Sequence, residues 1–188
     1  MTVQNEVRWL IETLIAEWPT TGSLGGTAPP DTVLFRDRDE PVSYYREEGA
    51  NDPDAPTDYE AERELAAPTD GWRTVAVATG ASTRSFYGNK PQYRVETTLD
   101  VRVQEKTAYE GGVVDSVGAH NTLVAVVQEA INADLTYPAV DTGDEDIGRI
   151  VYEDLAIVDT DHRSREFKDQ YRTDFTVRLR GKQDTPEQ

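Results

Sequence analysis

Apolar and polar residues alternate along YRVETTLDVRVQE, the stretch from Tyr93 to Glu105. Successive side chains of a β-strand point to opposite faces, so this pattern predicts a strand with one face in a core and the other face charged. The stretch YRTDFTVRLR at 171–180 has the same design. Antiparallel neighbours that are packed on one side often look alike, so we infer a shared charged surface and not a duplication.

Two other segments repeat apolar residues at helical spacing. The first, over 3–18, gathers its apolar residues on one face: Val7, Leu10, Ile11, Leu14, Ile15 and Trp18. Asn5 or Thr2 can cap this helix, and Pro19 ends it. The second helix is predicted to begin at Asp115 or Ser116 and repeats Leu123, Val124, Val127 and Ile131.

The segment 20–70 has a different composition, rich in Gly, Pro, Asp and Thr and poor in large apolar residues. Within it, TVLFRDRDEPVSYYRE alternates on both sides of the turn-like Asp39-Glu40-Pro41, which predicts a hairpin. A connecting segment this long is usually disordered or reaches a partner. We therefore predict a single domain over 1–188 that carries 20–70 as an extended loop or arm.

The remaining patterns give the order of the elements. WRTVAVAT at 72–79 and the stretch 149–158 are predicted strands, ASTRSFYGNKPQ is a predicted turn, and TDHRSREFKDQ is a predicted polar connection. The order is helix, 20–70 segment, strand, strand, helix, strand, strand. It predicts an α+β fold, with a mostly antiparallel sheet covered on one face by two helices.

Charge narrows the range of partners. The 188 residues include 19 basic and 36 acidic ones, for a net charge of −17. Such a field repels nucleic acid and anionic membranes, although a local basic stripe on one face would escape this argument. The basic residues are mostly arginine, and Asp slightly outnumbers Glu, a profile that resembles proteins of salt-loving organisms.

Several classes of chemistry lack the residues that they need. The chain has no cysteine, so disulfides and thiolate sites are excluded. The first residues have acids among the apolar ones and no basic start, so no signal peptide is expected, and no apolar run is long enough for a transmembrane helix. Neither a G-x-S-x-G nor a P-loop pattern occurs.

Two weak candidate sites remain. Asp159, Asp161 and His162 could share a divalent ion or do acid–base work, but such adjacency is expected by chance in an acidic chain. DTGDEDIG at 141–148 is acidic like a calcium-binding loop, but it lacks the ligand spacing and the closing Glu of such a loop. His120, the other histidine, lies near the start of the second helix. We therefore predict no enzyme, no cofactor and no metal, and a small acidic enzyme or ligand-binding domain is the less favoured alternative.

The other features of the sequence suggest a protein that assembles with further subunits. A sheet with one charged face, a separable apolar helix and a long arm suit a ring-forming subunit. In order along the chain, VRWLIETLIAEW, YRVETTLDVRVQEKT, EGGVVDSVGAHNTLVAVVQEAI and YRTDFTVRLRG resemble the tail terminator or tail completion proteins of long-tailed viruses. The resemblance covers 3–18 and most of 72–181, and the 20–70 segment departs from the compact pattern of the family.

This resemblance implies a homohexameric ring in the neck or tail of a virion, assembled in the host cytoplasm. The ring would cap the tail tube protein, dock the head-completion or connector protein, and let DNA pass without sequence-specific binding. The composition suggests the virus of a salt-loving archaeon. The implied subunit-interface or lumen residues are Arg94, Glu96, Asp100, Arg102, Arg172, Asp174, Arg178 and Arg180. A head-closure ring or the tube subunit itself remains open as an alternative.

Overall fold

The computed structural model describes residues 2–3, 5–19, 33–39, 43–44, 73–86, 92–106, 116–133, 137–141, 148–163 and 170–184. The helices are α1 (Glu6–Ala16) and α2 (Val117–Ala133). The strands are β1 (Thr2–Val3), β2 (Val33–Asp37), β3 (Ser43–Tyr44), β4 (Arg73–Phe86), β5 (Gln92–Lys106), β6 (Ala139–Asp141), β7 (Arg149–His162) and β8 (Gln170–Asp184).

These strands form one sheet in the order β1-β6-β7-β8-β5-β4-β2-β3. The four longest strands, β7, β8, β5 and β4, are neighbours and antiparallel to one another. Only β1 with β6 and β2 with β4 pair in parallel among the described strands. Helix α1 packs on β2 and β4, α2 packs on β5 and β8, and the helices contact each other. The predicted α+β fold, with helices on one face of a mostly antiparallel sheet, is confirmed.

Helix α1 begins where the sequence predicts. The side chain of Asn5 accepts a hydrogen bond from the backbone N–H of Arg8 at 2.7 Å, so Asn5 and not Thr2 is the N-cap. Thr2 instead belongs to β1. The helix ends at Ala16, two residues before the buried Trp18, and its apolar face turns towards the sheet.

Helix α2 begins after Ser116, whose hydroxyl accepts a hydrogen bond from the backbone N–H of Ala119 at 3.2 Å. Ser116 therefore caps the helix at the later of the two predicted starts. All four apolar residues predicted for this helix are buried: Leu123, Val124, Val127 and Ile131.

The central strands β5 and β8 pair without interruption from Gln92 opposite Asp184 to Lys106 opposite Gln170. Their odd-numbered residues from Val95 to Glu105 and from Thr173 to Gln183 are buried beneath the helices. We call this side of the sheet the core face. The even-numbered residues of both strands lie on the opposite side, which we call the polar face.

Two predicted boundaries were wrong. The stretch Ala81–Phe86 was predicted as a turn but continues β4, beyond an irregularity in its pairing with β5. Similarly, β7 runs on to His162, which was predicted in a polar connection. In both stretches solvent reaches most side chains, so they lack the apolar alternation that marks a half-buried strand. Pairing with a long neighbour extends them as strands.

The predicted hairpin within 20–70 is confirmed, because β2 and β3 pair antiparallel with Phe35 opposite Tyr44. Strand β2 also pairs with β4 and so belongs to the main sheet. The rest of the predicted arm lies outside the described residues. Strands β1 and β6 were not predicted, since two or three residues carry too little pattern to be recognised.

Candidate functional site

The structure brings all eight predicted site residues together on the polar face. They occupy even-numbered positions of the two central strands: Arg94, Glu96, Asp100, Arg102, Arg172, Asp174, Arg178 and Arg180. The register sets Glu96 opposite Arg180 and Arg102 opposite Asp174, so opposite charges face each other across the strands. The geometry confirms that these residues share one surface, whereas their role at an interface or lumen stays a prediction.

Two ion pairs bridge the central strands on the polar face. The Nε of Arg180 donates to Glu96 Oε2 at 2.7 Å, and the Nε of Arg102 donates to Asp174 Oδ1 at 3.1 Å. Arg172, two residues from Asp174 on the same strand, also donates to that carboxylate. Asp174 therefore accepts hydrogen bonds from two arginines, and the Nε of a third, Arg163, lies 3.6 Å from its Oδ2.

These contacts lower the pKa of both carboxyl groups. The hydrogen bond from Arg180 is the main cause of the lowered pKa of Glu96. For Asp174, burial alone would raise the pKa, but the hydrogen bonds from Arg172 and Arg102 together outweigh it and lower the pKa. Both carboxylates are therefore ionised at neutral pH and hold their arginines in place.

Other polar-face residues interact more weakly, and the charges of Arg178 and Arg94 add to the effect of Arg180 in lowering the pKa of Glu96. Arg94 and Arg178 form no ion pair within the part of the chain that the structure describes. The Nε of Arg178 is buried and has no hydrogen-bond acceptor among those residues. Asp100 accepts a hydrogen bond from the hydroxyl of Thr176 at 3.2 Å. These side chains retain bonding capacity for a partner.

Charge on this part of the polar face is opposite in sign to that of the whole chain. Between 94 and 106 and between 172 and 182, its acidic residues are Glu96, Asp100 and Asp174. Its basic residues are more numerous: Arg94, Arg102, Lys106, Arg172, Arg178, Arg180 and Lys182. Since the chain as a whole carries −17, this is the local basic stripe that the composition left possible.

A depression of about 370 Å³ lies at one end of this stripe, lined by Arg94, Glu153, Asp154, Arg180, Gly181 and Lys182. The Nζ of Lys182 donates to Glu153 Oε1 at 2.7 Å across it. Gly181 is required there, because a Cβ on it would lie 2.2 Å from the carbonyl oxygen of Val151. The depression thus combines basic and acidic side chains around a close approach of β7 to β8.

The weak site predicted at Asp159, Asp161 and His162 is not assembled. Asp161 accepts from Arg163 at 2.8 Å, whereas the Nδ1 of His162 contacts the hydroxyl of Thr173 at 3.0 Å on the core face. Asp159 lies in an irregularity of β7 with φ 52°. Successive residues of a strand point to opposite sides, so Asp161 and His162 are directed apart.

A buried polar network on the core face was missed in the sequence. Glu105 is 2% exposed and His120 is 0% exposed, and the His120 Nδ1 lies 2.7 Å from Glu105 Oε2. The other oxygen of Glu105 accepts from the Nε of Arg73 at 2.8 Å. The His120 Nε2 lies 3.0 Å from the hydroxyl of Thr173, and the ring of Tyr171 stacks on the imidazole. The signal was a carboxylate at a core position of β5.

The carboxylate, imidazole and hydroxyl of this network are ordered as in hydrolase triads. However, the Thr173 hydroxyl lies between two histidines, and Thr173 and His120 are both fully buried. A substrate has no access to a nucleophile in that position. The network instead connects the start of α2 to β4, β5 and β8 while satisfying its buried polar atoms.

A second network connects α1 to the sheet. The hydroxyl of Tyr152 donates to Glu6 Oε1 at 2.5 Å, and so it accepts from the hydroxyl of Thr97 at 2.8 Å. Burial raises the pKa of Tyr152, and the hydrogen bond to Glu6 raises it further. The phenol therefore stays protonated and acts as a structural donor.

The described residues include neither a candidate metal cluster nor a helix suited to a membrane. No group of three metal-binding side chains occurs among the described residues, and 142–147 of the calcium-like segment lie outside them. In the portion that the structure covers, neither helix has the length and apolar character to cross a bilayer. Comparison of the sequence with protein-family models finds no match, and comparison with curated proteins finds no significant match.

Proposed function

We propose that this protein is a structural virion subunit that forms a ring, terminates the tail tube of a long-tailed virus and joins the tube to the head connector. The polar face carries the proposal. It extends along the full paired length of β5 and β8, with its ion pairs in register, and the helices cover only the opposite face. Among the described residues, this face is one large ordered surface that lies outside the hydrophobic core.

The mixed charge of the polar face suits a surface past which DNA moves. A duplex held by many unpaired cations would be retained, since each phosphate contact adds affinity. Here Glu96 and Asp174 neutralise the arginines opposite or beside them, while Arg94 and Arg178 remain. The tail tube protein and the head-completion protein would meet the rims of the ring.

A different ring of the neck or tail is the second candidate. A head-closure ring or the tube subunit would use the same two-faced sheet, and the polar face supports these roles equally. The position of the protein in virus particles would distinguish these roles. A terminator lies between tube and connector, whereas a tube subunit repeats along the tail.

Electron microscopy of the purified protein tests the ring directly. We expect class averages with a ring of fixed subunit number, together with an assembled mass by light scattering. A monomer at every protein and salt concentration, with no assembly on tail or neck proteins, would contradict the proposal.

Charge reversal tests the polar face itself. We expect Arg178→Glu combined with Arg180→Glu to weaken assembly or docking while circular dichroism stays that of the folded monomer. The matched control is Arg38→Glu, an exposed arginine just beyond the end of β2, which lies three strands from β8. Equal assembly of the double variant and the control would argue against a functional polar face.

A further inference from the structure

The long sheet leaves two strand segments paired on one side only, within the part of the chain that the structure describes. Strand β2 covers β4 from Arg73 to Val77, and the stretch from Ser82 to Phe86 pairs only with β5. On the other side, β6 covers β7 from Arg149 to Val151, and the stretch from Glu153 to His162 pairs only with β8. Unpaired edges of this kind are templates for another strand.

Irregularities limit each free edge to a short regular segment. The β4 register shifts between Thr79 and Ser82, which leaves the segment Ser82–Phe86 regular. The β7 register shifts before Asp154 and again after Val158, which leaves Asp154–Val158 regular. A bulge interrupts regular pairing at its position, so these two segments of equal length are the regular stretches to which another strand can be added.

The irregularity in β4 is built into the sequence. The Thr98 hydroxyl accepts from the backbone N–H of Ala81 at 2.7 Å and contacts the carbonyl oxygen of Ala81 at 3.2 Å. A Cβ on Gly80 would lie 2.5 Å from that hydroxyl. These contacts fix the position of the irregularity, so the regular segment after it begins at Ser82.

The strand directions permit the two edges to meet. Neighbours alternate in direction from β7 through β8 and β5 to β4, so β7 and β4 run in opposite directions. A second copy related by rotation about an axis along the strands would place its β4 antiparallel to β7 of the first copy. The antiparallel alternation would continue from one copy into the next.

We propose that the β4 edge Ser82–Phe86 of one copy pairs antiparallel with the β7 edge Asp154–Val158 of a second copy. The core faces must be continuous, because a shift of one residue would put apolar side chains on the polar side. This requirement favours the register Phe86 opposite Leu155, Ser85 opposite Ala156, Arg84 opposite Ile157 and Thr83 opposite Val158.

Apolar surface at the two edges fits this register. Phe86 is 64% exposed, and its ring makes an edge contact with Tyr93, at a centroid distance of 5.7 Å. Leu155 and Ile157 pack against the rim of the core but remain half-buried. Pairing would set the Phe86 ring against Leu155 and extend the core face of one copy onto the next, as buried aromatic anchors do at interfaces.

Charge also favours unlike edges over like ones. Arg84 is the charged residue of the β4 segment, whereas β7 carries only acids among its charged residues after Arg149, including Glu153 and Asp154. Two β7 edges would repel each other, whereas a β4 edge, whose single charge is the cation of Arg84, does not repel a β7 edge. The contact is therefore heterologous, and repetition of it gives a ring or a filament.

A closed ring further requires a stagger between copies. Within one copy, Arg84 lies level with Gly181 of β8, whereas its proposed partner Ile157 lies level with Val177, four positions earlier in that strand. This offset is roughly 13 Å at the rise of a strand. Strands that close into a barrel are tilted, and they need such a stagger between successive units. The closure into a ring rests on the proposed function, whereas the pairing of the two edges does not.

Disulfide cross-linking tests the register, and the absence of native cysteine makes the result clean. We expect Ser85→Cys combined with Ala156→Cys to give a ladder of covalent oligomers on mild oxidation. Within one copy β4 and β7 are three strand spacings apart, about 14 Å, which is too far for a disulfide. Mixing the two single variants should give covalent dimers that neither variant gives alone.

The matched control pairs Ala156→Cys with Thr74→Cys, on the same side of β4 but next to β2. No ladder, or equal ladders in both double variants, would overturn strand pairing. A ring without the Ser85–Ala156 cross-link would also overturn it while leaving the ring proposal standing. A cross-linked ladder that grows without closing would keep strand pairing and contradict the ring.

Discussion

The two central strands take part in polar contacts on both faces of the sheet, under opposite conditions of burial. On the core face, Glu105 and His120 are 2% and 0% exposed. On the polar face, Glu96 and Arg180 are 37% and 38% exposed. Both contacts are 2.7 Å long. Water cannot reach the first pair, whereas it can hydrogen-bond to the side chains of the second pair and weaken their contact. The buried Glu105–His120 contact therefore contributes to folding. The Glu96–Arg180 pair remains accessible to a partner.

Removal of His120 should have the largest effect. Substitution His120→Ala leaves two buried groups, the Glu105 carboxylate and the Thr173 hydroxyl, with one partner fewer each, and each such loss typically costs ~1–3 kcal/mol. We expect the free energy of unfolding in urea to fall by about the sum of the two losses. The control is His162→Ala, which removes one contact to Thr173 at an exposed position. Equal losses in both variants would remove the distinction between buried and exposed contacts.

Removal of the Tyr152 hydroxyl should have an intermediate effect. Tyr152→Phe leaves Glu6 and Thr97 without a buried partner, a loss of ~1–3 kcal/mol. Since the folded pKa of Tyr152 is raised above its usual value of about 10, its contribution is present below pH 10 and is lost as the pH rises further. We expect wild-type stability to fall above pH 10 and the variant to fall less. Parallel curves would contradict this.

Removal of the Glu96 charge should have the smallest effect on folding. Glu96→Gln breaks a half-exposed ion pair, which solvent screening limits to ~0.2–1 kcal/mol. Because its pKa is lowered on folding, this contribution is present above the unfolded pKa and is lost as the pH falls through the folded one. Denaturation midpoints at pH 7 and at low pH measure it.

The matched variant Arg178→Gln should leave stability unchanged within error, because Arg178 forms no ion pair among the described residues. A large loss in this variant would show that the polar face supports the fold. A loss of assembly without a loss of stability would show that the polar face serves assembly while the core face serves folding.

The central strands and the helices follow from the sequence because their patterns are local. Alternation in β5 indicates which residues are buried, and Asn5 and Ser116 mark the helix starts. Placement of the predicted site residues on one surface follows from the same alternation. The ion pairs depend on the antiparallel register, which joins residues far apart in the chain.

The buried network does not follow from these patterns. Glu105 and Thr173 are polar residues at core positions, and only the packing of His120 between them explains their presence. The parallel pairing of β2 with β4 is also non-local, since its partners lie on either side of a long segment. Local pattern cannot select such partners, because the contact is set by packing of the whole sheet.

The irregular pairs of the long strands have a consequence for sequence change. They occur in β4 and β7, whereas β5 and β8 pair without a break. An inserted or deleted residue in β5 would exchange its two faces and put charges such as Arg102 into the core. An insertion at Gly80 or Asp159 would only enlarge an existing bulge. Homologous chains should therefore vary in length at these two points and keep the central strands constant.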